Sequence, residues 1–337
     1  LAAVAEDDTI RMKAPARAPA PVAPPPRRRP VLPLLAAAAL LVAAGLGWAW
    51  WAGFFAPAPR PVAETPPPPP AIAPPPQPAP AADPGRLATL PPLLDEAAIL
   101  AHRAEGPRLL RLSTNPAVFV IDFPTLEWQG AALNRVAALV EKAGLPRDRV
   151  LSPEEMAAAI ARAGDTAATY YFGHNYTGAV LARFFRLAAR DGVALSPQEA
   201  WVEAQLRLAR GLVPEGQEIA ILTVAAPGGR MDAAWRATVL RHELGHGLFA
   251  TNPAYADHVR RVWRERFTEA ERAAFRAFLA REEYDTANEE MVVDEAQAYL
   301  LHTPDPRFFS PAHVGMDEAG VERLRALLRE GAPGLPR

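Results

Sequence analysis

Three hydropathy patterns divide the chain. Residues 31–56 contain no charged side chain, a run longer than the roughly 20 apolar residues that span a bilayer. Trp48, Trp50, Trp51, Phe54 and Phe55 gather at its far end, as aromatic side chains do at a membrane interface. The pattern predicts a transmembrane helix over 31–56, with a cleaved signal peptide as the competing reading.

Beyond residue 86 the spacing changes to that of a folded domain. Residues 117–123 form a short β-branched and aromatic run closed by Pro124, hence a strand, and an alanine-rich helical pattern follows over 126–142. Ser152-Pro153-Glu154-Glu155 and Ser196-Pro197-Gln198-Glu199 each combine a capping box with proline at the first helical position. Residues 170–176 read as an aromatic loop, residues 179–190 as a helix and 218–225 as a buried strand too short to be a helix. Asp232 follows the Gly228-Gly229 turn and can cap a helix whose inner face carries Trp235, Val239, His242, His246 and Phe249. Thr286 and Glu289 have capping-box spacing and predict a helix to about His302, and residues 316–331 read as a closing amphipathic helix. The expected fold class is therefore α+β, mostly helical, with a small sheet beside the 232–249 helix.

Composition adds the organisation around that domain. Residues 1–30 are a low-complexity mixture of proline, alanine and arginine and predict a disordered tail. The basic residues crowd before the apolar run and only Arg60 follows closely, which places the N-terminus in the cytoplasm and the rest outside it, periplasmic or extracellular. Residues 57–85 are dominated by proline and alanine and predict an extended linker of about 3 Å per residue. Residues 86–337 are the folded domain. A formal charge of −2 argues against a nucleic-acid partner, and the absence of cysteine excludes disulfides and thiolate metal sites.

The chemistry lies in Arg241-His242-Glu243-Leu244-Gly245-His246-Gly247. Residues four apart on a helix share one face, so His242 and His246 can aim two imidazoles at one point, with Glu243 beside it as a general base. Catalytic zinc takes three protein ligands and leaves a position open, so a third ligand is required. On the 286–302 helix, Glu290, Asp294 and Gln297 fall together on the polar side at about 100° per residue, whereas Glu295 points between Met291, Val292 and Tyr299 on the apolar half. A carboxylate buried there needs a partner or a metal, which makes Glu295 the candidate third ligand and Glu290 the alternative. Asp257 and His258 are further candidates, better read as solvated helix residues. His174 is a candidate transition-state donor, though a packed, hydrogen-bonded histidine is the better reading, and core packing is the better reading for Tyr299. Gly245 and Gly247 cost helix stability and imply a closely packed neighbour, a second helix or a substrate.

The His-Glu-x-x-His motif together with a glutamate from a later helix resembles the glutamate zincins, and the stretches around it also look like a group of bacterial envelope proteins. The resemblance implies a zincin-like fold and a membrane-anchored zinc metallopeptidase acting on peptide or protein substrates. It also implies that the 218–225 strand lines the cleft and pairs with extended substrate. Asp294 stands before Glu295 where the family has asparagine, and the gap between the two helices is longer. The alternatives are a non-catalytic zincin-like envelope domain that binds a partner, and a zinc amidase acting on cell-wall peptides.

Overall fold

The computed structural model describes residues 90–335 apart from 141, 143, 230 and 283. The predicted tail, apolar span and linker lie outside the described residues. Among the described residues no helix is long and apolar enough to cross a membrane.

The elements in chain order are β1 (Leu93–Leu94), α1 (Glu96–Ala101), β2 (Arg108–Leu112), β3 (Val118–Phe123), α2 (Leu126–Val140), α3 (Pro153–Arg162), β4 (His174–Thr177), α4 (Gly178–Arg190) and α5 (Pro197–Arg210). They continue with β5 (Ala220–Ala225), α6 (Ala233–Thr251), α7 (Pro253–Arg266), α8 (Glu269–Arg281), α9 (Glu289–His302), a 3-10 turn (Pro311–Val314) and α10 (Glu318–Arg329). The fold is α+β and mostly helical, around one small mixed sheet.

The strand order is β1-β2-β3-β5-β4. β3 and β5 run parallel at the centre with Val118 opposite Ala220 and Phe123 opposite Ala225, while β4 closes one side antiparallel to β5. Alternation in the two central strands splits their side chains cleanly. Phe119, Ile121 and Phe123 join Leu133, Val136, Leu181 and Phe184 in a core under α2 and α4. Val118, Val120, Leu222 and Val224 meet Leu240 of α6 on the other face. Burial on both faces explains why both strands read as continuous apolar runs.

A second core holds the helices together, with Phe249, Tyr255, Val259, Phe275, Phe278, Tyr299 and Leu324 contributed by α6 to α10. Helix α6 therefore stands between the sheet and the helical half. Its glycines face these two neighbours: a Cβ on Gly247 would lie 3.2 Å from Val118 and Leu222, and one on Gly245 would lie 2.6 Å from the His302 ring of α9. The neighbour predicted from the glycines is thus a second helix for Gly245 and the sheet for Gly247.

The capping boxes at Ser152 and Ser196 form as expected, and Asp232 accepts from Trp235 N at 2.6 Å to start α6. The start of α9 differs. Its cap is Asn288, which accepts from Met291 N, and Glu289 turns away to accept from Trp263 Nε1 at 2.7 Å and from Arg276. An indole and a guanidinium supplied by α7 and α8 outcompete the local backbone for that carboxylate.

Candidate metal centre

Helix α6 delivers His242, Glu243 and His246 to its junction with α9 and β4, and all three are buried, at 0%, 0% and 1% exposure. His242 Nε2 and His246 Nε2 stand 3.0 Å apart, and His242 Nε2 stands 3.6 Å from Glu295 Oε2. One donor atom from each of His242, His246 and Glu295 falls within 4.8 Å of the others. Glu295 reaches them from the inner side of α9, the side on which its apolar neighbours placed it.

The hydrogen bonds on the far nitrogens decide what these imidazoles present. Thr303, the C-cap of α9, donates its hydroxyl proton to Ala298 O at 3.0 Å. Its oxygen is left to accept, so the 2.9 Å contact with His242 Nδ1 is donated by the imidazole. His242 Nε2 therefore carries a lone pair, and it faces His246 Nε2 at 3.0 Å. A divalent cation at this point would be held by both imidazoles. His246 Nδ1 lies 2.9 Å from Asp294 Oδ1, and burial holds that carboxyl well above its ordinary pKa.

Donors on one tetrahedral ion with bonds of roughly 2.0–2.2 Å stand about 3.3–3.6 Å apart, and two of the three pairs here stand at 3.0 and 3.6 Å. Burial also holds both imidazoles well below their ordinary pKa, and for His242 the neighbouring His246 and His302 add to the effect. They are neutral at physiological pH, as ligands must be. Two imidazoles and a carboxylate suit zinc and also other divalent transition metals. The residues fit a metal ion of that kind.

Glu243, next to His242 on α6, meets the β4 segment. Its Oε2 accepts from Asn175 Nδ2 at 3.0 Å, and a Cβ on Gly173 would lie only 2.3 Å from its Oε1. Both partners come from the β4 segment, whose alternation sends Gly173 and Asn175 towards α6 and His174 and Tyr176 away from it. His174 is opposite Thr223, packs on Tyr171 and accepts or donates at 2.9 Å with the Tyr176 hydroxyl. Burial pulls its pKa down to about 3. It is a core histidine, and the residue that sequence reasoning missed is the one beside it, Asn175.

No protein-family profile, no curated protein and no solved structure matches the chain. The site therefore stands on its own geometry.

Sequence expectations change on the polar side of α9, at the strand beside the site and at His258. Asp294 and Gln297 were placed on a solvated side of the helix, yet they are 3% and 0% exposed, because α7 covers that side of α9. The strand expected to line the cleft, β5, is interior, paired on one side with β3 and on the other with β4. The outermost strand beside Glu243 is β4, which the 170–176 segment enters at its end.

The remaining candidates lie elsewhere. Glu290 accepts from Arg260 Nε at 2.8 Å and does not reach the imidazoles. Asp257 is exposed and also pairs with Arg260, at 2.9 Å. His258 is buried rather than solvated and bonds to Leu328 O at 3.0 Å. Tyr299 packs its ring edge-on to His242 at 4.8 Å between centroids, a contact with the site as well as with the core. The phenols of Tyr284 and Tyr299 are held well above their ordinary pKa, by burial first and then by the Glu295 carboxylate, so both remain proton donors. Tyr284 belongs to the turn before α9, where the sequence carries no pattern pointing to it.

Proposed function

We propose that this chain is a zinc-dependent metallopeptidase that hydrolyses peptide bonds, with His242, His246 and Glu295 as the metal ligands and Glu243 as the general base. The reading takes its main support from one observation: a buried carboxylate, held by Asn175, sits one residue from a ligand and at the same junction. A purely structural metal site has no use for such a base. Zinc bound by these residues would supply Lewis-acid polarisation of a carbonyl and an acidified water.

The chain's own groups divide the remaining work. The Glu243 carboxylate takes one proton of the attacking water and returns it to the departing amine. Asn175 fixes Oε2 by donating to it, so the carboxylate cannot turn away from the site. β4 is an outer strand of the sheet among the described residues, and its His174, Asn175 and Tyr176 are buried, so its part in the site is to carry Asn175.

The uncharged apolar run of residues 31–56, with basic residues crowded before it, supports action outside the cytoplasmic membrane. Replacement of Glu243 tests the reading. Glu243→Gln should retain zinc and lose about 100- to 10,000-fold in peptide hydrolysis, the range for a general base. Unchanged function in cells with zinc retained would instead favour a non-catalytic envelope domain. Comparing cleavage of unfolded protein with that of cell-wall peptides separates a peptidase from an amidase.

A further inference from the structure

The chain leaves the two parallel strands at the centre of the sheet in opposite directions. After β3 it turns through Pro124 and Thr125 into α2, whose Leu133 and Val136 pack with Phe119 and Ile121 on one face. After β5 it turns through Ala226 and Pro227 towards α6, whose Leu240 packs with Val118 and Val120 on the other. Neighbouring parallel strands whose helices go to opposite faces leave a crevice between the two exit loops, and open sheets bind ligands at such a point. In this chain the crevice is a cavity of about 390 Å³. That is near the lower end of the roughly 300–1,000 Å³ of small-ligand pockets, which suits a single large side chain.

Its lining is mainly apolar. Leu126, Ala168, Phe172, Ala226 and Pro227 contribute carbon surface, Phe172 from a buried position and the others half-buried. Thr125, Thr166 and Thr169 add hydroxyl and methyl groups. Among the described lining residues only Glu127 is charged, and it is exposed. The cavity therefore repels an acidic side chain and offers a basic one no buried partner.

Two contacts tie the crevice to the candidate metal centre. Phe172 is followed by Gly173, the residue whose added Cβ would lie 2.3 Å from Glu243 Oε1. The Phe172 ring also packs on Trp235 at 5.0 Å between centroids. Trp235 and Glu243 both belong to α6, and the rise between them is about 12 Å along its axis. An extended peptide covers that distance in three to four residues at about 3.3 Å each.

We propose that the crevice is a substrate subsite of the peptidase and takes a bulky apolar side chain, leucine or phenylalanine, three or four residues from the bond that is cut. This deepens the metallopeptidase reading and rests on it, but binding at the crevice needs no metal.

Threonine-methyl NMR of metal-free full-length protein reads that binding. The probe is a glycine-serine peptide with one central leucine, compared with the same peptide carrying alanine or glutamate in its place. Only the leucine peptide should shift the methyl signals of Thr125, Thr166 and Thr169. Ala168→Trp, at a half-buried lining position, should fill the crevice and abolish the shifts, and Ala226→Leu serves if that variant does not fold. Zinc-loaded wild type should cut the leucine peptide three or four residues from the leucine, with kcat/KM at least about tenfold above that for the alanine peptide. Ala168→Trp should cut the two alike. Methyl signals unmoved by the leucine peptide, moved equally by the alanine peptide or still moved in the folded, filled variant would overturn the proposal, as would cleavage indifferent to leucine. The expected shifts with no cleavage of any peptide by zinc-loaded wild type would instead count against the metallopeptidase reading and leave the crevice as a site for apolar peptides.

Discussion

Asn175 Nδ2 lies 3.0 Å from Glu243 Oε2, and the two residues are 68 positions apart in the chain. The contact joins the last strand of the sheet to the helix that carries the candidate ligands. It makes the position of the proposed base depend on how β4 is seated against β5. Removing a hydrogen bond to a charged group costs about 1.5–3 kcal/mol, which corresponds to roughly 10- to 150-fold in rate if the loss falls on the transition state. Asn175→Ala should therefore lower kcat/KM by that factor while the zinc content stays at the wild-type level. Full activity in this variant would mean that Asn175 does not position the base.

The two candidate third ligands make opposite predictions. Glu295 is 0% exposed and 3.6 Å from His242 Nε2, so Glu295→Ala should abolish zinc binding. Glu290 instead pairs with Arg260 at side-chain exposures of 25% and 39%. Partly exposed pairs contribute roughly 0–1 kcal/mol, so Glu290→Ala should keep its zinc and lose no more stability than that. Zinc present at about 100 times its dissociation constant should stabilise the wild type by about 2.7 kcal/mol and leave Glu295→Ala unaffected. Metal content and thermal unfolding with and without chelator read both effects, and loss of zinc in the Glu290 variant alone would reverse the assignment.

What the sequence made legible follows from the range over which each signal acts. The spacing of His242 and His246 is set by helix geometry, and the apolar neighbours of Glu295 are on its own helix, so both could be read locally. The environment of Asp294 could not, because a polar stripe looks the same whether water or another polar group covers it. Here α7 supplies Tyr255 to that stripe. β4 escaped for a related reason: His-Asn-Tyr-Thr has no strand pattern of its own, and its extended form comes from pairing with β5. The cap of α9 was misplaced by two residues because Glu289 has better partners in Trp263 and Arg276 than the backbone ahead of it.

The start of α3 offers a titration far from the site. Glu155 closes the capping box on Ser152 and bonds Arg149 through both oxygens at 2.8 Å. Its carboxyl is lowered to about 2, first by the Arg149 hydrogen bond and then by the Ser152 backbone. A carboxyl lowered in the folded state stabilises it above the unfolded pKa, and that contribution fades as pH falls through the folded value. The contribution should be complete above about pH 4.5, decline below it and be lost near pH 2. Arg149→Ala should raise the Glu155 titration towards 4.5 in carbon-13 NMR. An unmoved midpoint would assign the shift to the backbone contact instead.

Gly245 and Gly247 occupy the same helix, and alanine at either would raise helix propensity by up to about 1 kcal/mol. Packing separates them. The added carbon at 247 meets methyl groups of Val118 and Leu222 at 3.2 Å, which can shift by a few tenths of an ångström. At 245 it meets the His302 ring at 2.6 and 2.8 Å and the His302 Cβ at 3.2 Å, so the ring cannot swing aside without moving its own backbone. Overpacking of that kind costs about 1–3 kcal/mol. Gly247→Ala should therefore fall within about 1 kcal/mol of wild type in denaturant unfolding, the propensity gain offsetting a mild contact. Gly245→Ala should be destabilised and should also bind zinc more weakly, because pushing α9 off α6 carries Glu295 away from His242. If the double variant Gly245→Ala, His302→Ala recovers stability and zinc affinity, the collision with His302 is the cause. If it recovers neither, the closeness of the two helices is set elsewhere.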